Sequence, residues 1–250
     1  MTNDPNVPSD RVQLALEELG RLTLREHSME TVLQRVVDLT KKVMPGTPEV
    51  SITMVGNGKA TTPASTGQLA VDCDESQYAH GAGPCLHAAT SGELVEIADM
   101  EAEARWTGFV QEAAERGALS SLSLPLRLDD GVCAALNIYA RAPHAFDADS
   151  RATAGWFAPH AAAAVGNMHA YEDARNMADN LQRALESRAV IDLAKGILME
   201  RHKLTADQAF QVLVQASMGV NRKLRDVAQH LVSTGELIAP RTRHRRREPR

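Results

Sequence analysis

Two runs of alternating apolar residues, joined by a tight turn, constrain the fold of this chain most. Residues 120–128 read SSLSLPLRL, with a leucine at every second position from 122, and residues 132–140 read VCAALNIYA. Asp130 and Gly131 lie between the two runs and are typical of a two-residue hairpin turn. Because successive side chains of a strand point to opposite faces, one face of this hairpin must be buried. Other parts of the chain must therefore cover that face.

Helical and strand-like segments precede the hairpin. Residues 29–44, METVLQRVVDLTKKVM, have apolar side chains at helical spacing and end before PGTP, and a second helical pattern lies upstream in residues 11–24. VSITMVG, residues 50–56, alternates like a strand and precedes an NGK turn. GELVEIAD, residues 92–99, contains a short strand. Together these segments predict an α+β domain with flanking helices.

From Asp147 the pattern is helical over a long stretch with few turn signals. Pro159 interrupts this stretch and predicts either a kink or a first helical turn at that point. Further along, a run of side chains spaced three and four residues apart consists of Tyr171, Ala174, Ala178, Leu181 and Leu185. Two interpretations stay open: a short coiled-coil seam between two copies of the chain, or a helix packed on its own domain.

The last ordered unit is predicted to contain three helices. The first ends near His202, and Thr205 with Gln208 predicts a capping box at the start of the second. Gly219 is expected to end the second helix, and Asn221 is expected to cap the third. The side chains expected in the core of this unit are Val190, Ala194, Ile197, Leu198, Ala209, Phe210, Leu224, Val227, Ala228, Leu231 and Val232.

A second, polar face follows the first of these three helices. Its members, at spacings of four and three, are Arg188, Asp192, Lys195, Met199 and His202. Gly196 stands beside Lys195 and costs about 1 kcal/mol relative to alanine within a helix. Glycine permits close approach of another backbone, so either helix packing within the chain or contact with a partner explains it.

Charge and cysteine content limit the classes of function. The net charge of −5 divides into +5 for the last ten residues, with six arginines and one glutamate, and −10 for the rest. The basic tail either binds nucleic acid weakly or is only solvated. Three cysteines do not form a disulfide framework. Since no apolar run is long enough for a membrane span and no signal peptide is recognisable, we expect a cytoplasmic protein without membrane contact.

Three motifs near the C-terminus, AKGILM, ADQAF and NRKLRDVA, resemble the ANTAR domain of transcription antitermination regulators in order and spacing. The resemblance implies that a dimer binds a pair of RNA hairpins in a nascent transcript and so prevents a terminator from forming. Such loops present splayed bases, which proteins read more easily than an A-form groove. The RNA-binding residues expected on this basis are Arg188, Asp192, Lys195, Gly196, Met199, Asn221, Arg222, Lys223 and Arg225. The receiver domain that often accompanies the ANTAR domain is not recognisable.

The preceding region resembles a GAF domain. The similarity rests on YAHGAGPCLHAATSGELVEIADM, on RWTGF, on the hairpin and on AFDADSRATAGWFAPHAAAAV. It implies an antiparallel sheet with helices on one side and a ligand pocket on the other. GAF domains sense small molecules or redox state, or only mediate dimerisation. The asparagine-lysine-phenylalanine-aspartate-glutamate signature of cyclic-nucleotide binders is missing from the sequence, so the effector stays unknown.

Cys85 is the candidate sensor residue, with His80 and His87 close to it in sequence. It follows Gly83 and Pro84 at an expected helix start, where a helix N-terminus lowers the pKa of a thiol. The alternative is a small buried apolar residue, as free cysteines usually are. The three side chains do not define a clear metal site, because structural zinc needs four ligands. Cys73 and Cys133 are interpreted as structural.

These interpretations divide the chain into five segments. They are an N-terminal segment, partly disordered and then helical (1–27), a GAF sensory domain (28–166), a helical connector (167–186), an ANTAR domain (187–238) and an arginine-rich disordered tail (239–250). The expected function is RNA-binding transcription antitermination by a homodimer, gated by a small-molecule or redox effector.

Two other functions stay open at this point. Three short helices with a basic third helix also suit a DNA-binding regulator. An enzyme with Cys85 as nucleophile and His80 or His87 as base would need a third group to orient the base, and the sequence offers no clear one. We therefore expect no enzymatic activity.

Overall fold

The computed structural model describes residues 10–23, 25–56, 58–128 and 133–238, which form two compact units divided after Asp173. The first unit begins with the helices α1 (Asp10–Gly20) and α2 (Met29–Val43) and the strands β1 (Glu49–Gly56) and β2 (Lys59–Ser65). It continues with α3 (Gln68–His80), α4 (Pro84–Ser91), β3 (Val95–Ile97), α5 (Thr107–Glu115), β4 (Ser120–Arg127) and β5 (Cys133–Ala140). The long helix α6 (Ala148–His202) contributes residues to both units.

The five strands form one antiparallel sheet in the order β2-β1-β5-β4-β3. β4 and β5 pair with Leu122 opposite Ile138 and Leu124 opposite Leu136, which confirms the predicted hairpin. Its turn at Asp130 lies outside the described residues. The short strand predicted within residues 92–99 is confirmed as β3. The predicted α+β class with an antiparallel sheet and flanking helices is therefore confirmed.

One face of the sheet is apolar and carries the main core. Leucine, valine and isoleucine side chains of β1, β4 and β5 pack there against α1, α2 and the first part of α6. Pro159 lies inside α6, so the alternative of a first helical turn at this residue is wrong. Among the helices of the described residues, none is long and apolar enough to cross a membrane.

The opposite face of the sheet is polar, yet it is also buried. Ser51, Thr53, Ser121, Ser123 and Asn137 lie on this face and are all inaccessible to solvent. The helices α3 and α4 pack against β1 and β5, and α5 packs against α3. The expectation of helices on one side only is therefore wrong, because three short helices cover the second face.

The second unit contains the end of α6, α7 (Ala206–Val220) and α8 (Leu224–Thr234) around a small apolar core. Its first helix ends at His202 as predicted, and the Thr205–Gln208 capping box is confirmed by reciprocal hydrogen bonds of 2.9 and 3.3 Å. The prediction that Phe210 lies in the core is wrong. Its side chain is 38% exposed, because Ala209 beside it takes the buried position.

The start of the third helix also differs from the prediction. Asn221 does not cap α8; it ends α7 in the left-handed conformation, with φ of 50°, and α8 begins three residues later after Lys223. Asparagine tolerates the left-handed conformation better than most residues. Gly219 lies within α7 and does not end it.

Candidate functional sites

The predicted polar face of α6 is organised around one carboxylate. Lys195 Nζ donates a hydrogen bond to Asp192 Oδ1 at 3.0 Å, and Arg188 Nε lies 3.8 Å from Asp192 Oδ2. The Lys195 side chain is only 24% exposed, and its ion pair with Asp192 holds the ammonium group beside the helix. The arrangement offers a positioned cationic donor beside a highly exposed guanidinium group.

Gly196 is exposed, and apart from its two chain neighbours and the nearby backbone of its own helix, no described atom lies within 4 Å of the place where a Cβ would be. Helix packing within the chain therefore does not explain this glycine. Met199, which the sequence placed on the exposed polar face, is half-buried because it packs against the core of the second unit. The open part of the face thus runs from Arg188 to Gly196.

The basic residues between α7 and α8 form a second candidate surface. Arg222, Lys223 and Arg225 are exposed, and Arg225 Nη2 lies 3.5 Å from Glu186 Oε2 on α6. This ion pair links the start of α8 to the helix that carries Lys195. Exposed ion pairs of this kind contribute little to stability, so the guanidinium stays available to another anion.

The turn itself is fixed by its own backbone hydrogen bonds. The Asn221 amide donates to the carbonyls of Met218 and Ser217, and the Arg222 amide donates to Ser217 at 3.1 Å. The amides of Asn221 and Arg222 are therefore not free to bind phosphate, because carbonyl groups at the end of α7 already accept them. The basic side chains of the turn stay available for that role.

The buried polar face of the sheet forms a separate candidate site around Asp74 on α3. Tyr139 OH donates to Asp74 Oδ1 at 2.7 Å, Asn137 Nδ2 donates to the same oxygen at 3.2 Å, and Thr62 Oγ1 donates to Oδ2 at 2.9 Å. Gln77 extends this network, since its Nε2 donates to Tyr139 OH at 2.9 Å and its Oε1 accepts the Cys85 amide at 2.8 Å. The network therefore joins the sheet to the start of α4.

Burial raises the pKa of Asp74 from 3.8 to about 6, although hydrogen bonds from Tyr139, Ser51, Thr62 and Asn137 oppose the change. The pKa of Asp74 is therefore higher in the folded protein than in the unfolded chain, so the protonated carboxyl group stabilises the fold. This stabilisation is complete below the unfolded pKa of 3.8 and is lost as the pH rises through about 6.

We expect Asp74→Asn to gain stability relative to the original protein by about 2 kcal/mol between pH 4.5 and pH 8, because each pKa unit corresponds to about 1.4 kcal/mol. Denaturant unfolding at both pH values measures this difference. The same stability difference between variant and original at both pH values would contradict a buried, ionising Asp74.

Three polar atoms on this face have no hydrogen-bond partner among the described residues. They are Ser121 Oγ, Ser123 Oγ and Asn137 Oδ1, and all three are buried. In the sheet Ser123 lies directly opposite Asn137, and Ser121 lies opposite Tyr139. Buried polar groups are usually paired, so a cluster of three unpaired ones marks this part of the face as unusual.

The three predicted sensor residues do not meet at one site. Cys85 is fully buried, and burial raises the pKa of its thiol well above the ordinary value, so the lowered pKa expected at a helix start is wrong. His80 Nδ1 lies 2.8 Å from the Ser76 carbonyl, and its Nε2 lies 3.8 Å from a Glu112 oxygen. His87 is exposed, and the centroid of its ring lies 6.0 Å from the centroid of the Trp106 ring. Across the described ranges, no cluster of histidine, cysteine and carboxylate side chains could hold a metal ion.

Comparison with known families finds two domains in this order. The GAF domain family matches residues 26–166, and the ANTAR domain family matches residues 179–232. No curated protein matches the chain in sequence.

Solved structures resemble the first of these regions in fold. The GAF domain of a phosphoenolpyruvate-protein phosphotransferase from Coxiella burnetii is 18% identical, with a TM-score of 0.50 over 65% of this chain and 95% of that one. The corresponding GAF domain from Acinetobacter is 15% identical, with a TM-score of 0.50 over 69% of this chain and 99% of that one. A free methionine-R-sulfoxide reductase from Thermoplasma acidophilum is 18% identical, with a TM-score of 0.45 over 58% and 96%.

Proposed function

Because the chain belongs to the GAF domain family and carries an ANTAR domain, an RNA-binding antitermination module, we propose that it binds paired RNA hairpins as a dimer. Binding of a nascent transcript in this form prevents a terminator hairpin from forming. The role is regulatory rather than enzymatic, and contact with nascent transcripts places the protein in the cytoplasm.

The observation that carries this proposal is that Gly196, next to Lys195 on α6, has no packing role within the described part of the chain. Lys195 is fixed by Asp192, and the space beside it at Gly196 is open, with no described atom of the chain within 4 Å of the Cβ position. A glycine that weakens a helix without serving the packing of its own chain indicates that a partner approaches there. A splayed loop of RNA fits this surface, since its phosphates and base edges accept hydrogen bonds from lysine.

We expect Gly196→Ala to stabilise the second unit while weakening RNA binding. Alanine should gain about 1 kcal/mol of helix stability, because nothing obstructs the new methyl group within the chain. The same methyl group should weaken hairpin binding about tenfold or more if RNA lies against the helix backbone, since each 1.4 kcal/mol is about tenfold. Thermal unfolding and fluorescence anisotropy with a labelled hairpin measure the two effects.

Gly155→Ala on the same helix provides a matched control, because it also has no described atom within 4 Å of its Cβ position and lies in the first unit. It should raise helix stability without changing RNA affinity. Unchanged affinity in Gly196→Ala would exclude close contact between the RNA and this part of α6.

The proposed dimer rests on apolar side chains of α6 that the chain leaves exposed. Leu181 is 60% exposed and Leu185 is 55% exposed, and Ala174 and Ala178 continue the same row at spacings of three and four. A contiguous apolar row on a helix usually marks an interaction surface. Two copies of this row would form a short left-handed coiled coil.

The same heptad positions lead from the apolar row to the candidate RNA surface. Arg188, Asp192 and Lys195 follow Leu185 at spacings of three, four and three residues on α6. In a parallel pair of helices, both Lys195 side chains would therefore lie along the line of the seam, close to the partner helix. Two hairpins bound by one dimer gain avidity, because the second binding step becomes intramolecular.

We further propose that the GAF domain controls this activity through its buried polar face. Control requires that an effector bind two states of the protein with different affinity. The full burial and raised pKa of Cys85 favour a small molecule over direct oxidation of that thiol, because oxidants react with accessible thiolates.

A further inference from the structure

The polar face of the sheet is built as one continuous row across three strands. Ser51 on β1 lies opposite Asn137 on β5, and Asn137 lies opposite Ser123 on β4. All three side chains are buried, whereas the apolar core occupies the other face of the same strands. The row therefore places polar atoms in the interior, where each one requires a partner.

Within the described part of the fold, the polar atoms of the row toward β1 are hydrogen-bonded, whereas those toward β4 are not. Asn137 Nδ2 donates to Ser51 Oγ at 3.3 Å, to Thr53 Oγ1 at 2.9 Å and to Asp74 Oδ1 at 3.2 Å. Among the residues that the structure describes, Asn137 Oδ1 accepts no hydrogen bond, and the hydroxyls of Ser121 and Ser123 are also unpaired. Leaving buried groups unpaired destabilises a fold, so such a group in a native protein calls for an explanation.

Two apolar clusters border the unpaired atoms. One contains Ile97 and Tyr139, the sheet neighbours of Ser121, and the other contains Val95, the neighbour of Ser123. Trp106 packs against both clusters and is itself only partly buried.

The backbone of Trp106 is strained. It adopts φ of 38° and ψ of 52° at the start of α5, a conformation that bulky side chains rarely take. The Arg105 guanidinium lies 4.7 Å from its ring centroid. Backbone strain of this kind often occurs at ligand clamps.

The charges at this face limit what can bind. Among the buried side chains of the described residues, Asp74 is the one carboxyl group, and no lysine, arginine or histidine is buried there. An anion would therefore enter without a counter-charge and beside a carboxyl group, which is strongly unfavourable. Asp74 already accepts three hydrogen bonds, so a cation would gain little from it.

We propose that Ser121, Ser123 and Asn137 bind a small uncharged effector carrying both a hydrogen-bond donor and an acceptor, of the carboxamide class, and that Trp106 moves to admit it. The amide N–H donates to Asn137 Oδ1, and the amide carbonyl accepts from a serine hydroxyl. This assignment rests on the proposed sensory role of the GAF domain and specifies its ligand class.

Acetamide and acetate test the assignment, because they have the same size and shape and differ in charge and in donors. Each is titrated into the full chain while thermal unfolding is recorded, with Trp106 fluorescence followed in a Trp156→Phe background. We expect acetamide, at millimolar concentrations, to raise the melting temperature in a saturable manner and to change the Trp106 signal. Acetate should do neither. Equal responses to the two probes would overturn the assignment.

The double variant Ser121→Ala/Ser123→Ala tests the site without risking the fold. Removing unpaired hydroxyls should leave the ligand-free melting temperature unchanged or raise it, and should abolish the response to acetamide. Ser120→Ala is the matched control on the same strand, since its hydroxyl donates to the Ala142 carbonyl at 2.7 Å. The control should melt about 2–4 °C lower and keep the acetamide response.

RNA affinity of the same variants separates this inference from the proposed function. If the double variant still responds to acetamide as the original protein does, the assigned residues are wrong, whatever the RNA result. If neither protein binds paired hairpins, the proposed function fails independently of the ligand.

Discussion

Replacing Lys195 by alanine is expected to weaken binding of a single RNA hairpin by about tenfold to about a hundredfold. A hydrogen bond to a charged group contributes about 1.5–3 kcal/mol, and each 1.4 kcal/mol is about tenfold. The side chain is already fixed by Asp192, so little of the binding free energy is lost in ordering it. On an RNA with two hairpins the loss in free energy should be about twice as large, since both modules of a dimer carry the change.

Lys203→Ala is the control for charge alone. Lys203 lies just after α6, is 75% exposed and pairs with Glu200 at 2.6 Å, outside the row that contains Lys195. Its removal should lower affinity only slightly and equally for all nucleic acids. Equal losses in the two variants would mean that Lys195 contributes only general attraction, and its assigned role would be wrong.

Introducing charge into the apolar row of α6 should produce the second large effect. Leu181→Asp with Leu185→Asp places two carboxylates per chain at the centre of the proposed coiled coil, where burial of charge is prohibitive. We expect a monomer in sedimentation equilibrium. Affinity for a two-hairpin RNA should fall by about a hundredfold or more as avidity is lost, whereas affinity for a single hairpin should change little.

Arg183→Asp provides the matched control for this experiment. Arg183 lies between the two leucines in sequence but on the opposite side of the helix, and it is exposed. A dimer that survives the leucine changes, or dissociates equally with Arg183→Asp, would exclude the apolar row as the dimer contact.

The sequence patterns of β4, β5 and the start of α7 predict the structure correctly, because the local preference of each segment agrees with its packing in the fold. Alternation in β4 and β5 matches one buried apolar face, and the Thr205–Gln208 box starts α7 as predicted. Each of these signals depends on the geometry of a single element or hairpin. The identity of both domains could also be inferred from motifs, since their residues stand at fixed spacing.

The buried polar face could not be predicted from the sequence. Ser121 and Ser123 alternate with leucines, a pattern typical of a strand with one face in water. Their burial depends on α3, α4 and α5, whose apolar residues come from distant parts of the chain. The participation of Asp74 and Tyr139 is likewise a consequence of tertiary packing, since no local signal connects residues so far apart.

Errors at the end of α7 have a local physical reason. Asparagine suits both a helix N-cap and a left-handed C-cap, and the sequence around Asn221 does not decide between them. The expectation of Phe210 in the core rests on the usual burial of phenylalanine. In a unit this small, the inner positions of α7 are filled by Ala209, Leu213 and Ala216, which leaves the neighbouring ring partly exposed.

A single binding comparison tests the central claim most directly. Fluorescence anisotropy at near-physiological salt compares three ligands of equal charge: an RNA with two hairpins, an RNA with one hairpin, and a DNA duplex. We expect the two-hairpin RNA to bind far more tightly than the other two, and Lys195→Ala to remove this preference. Equal and steeply salt-dependent binding of all three would contradict RNA recognition by this surface. Preference for the duplex would instead favour a DNA-binding regulator.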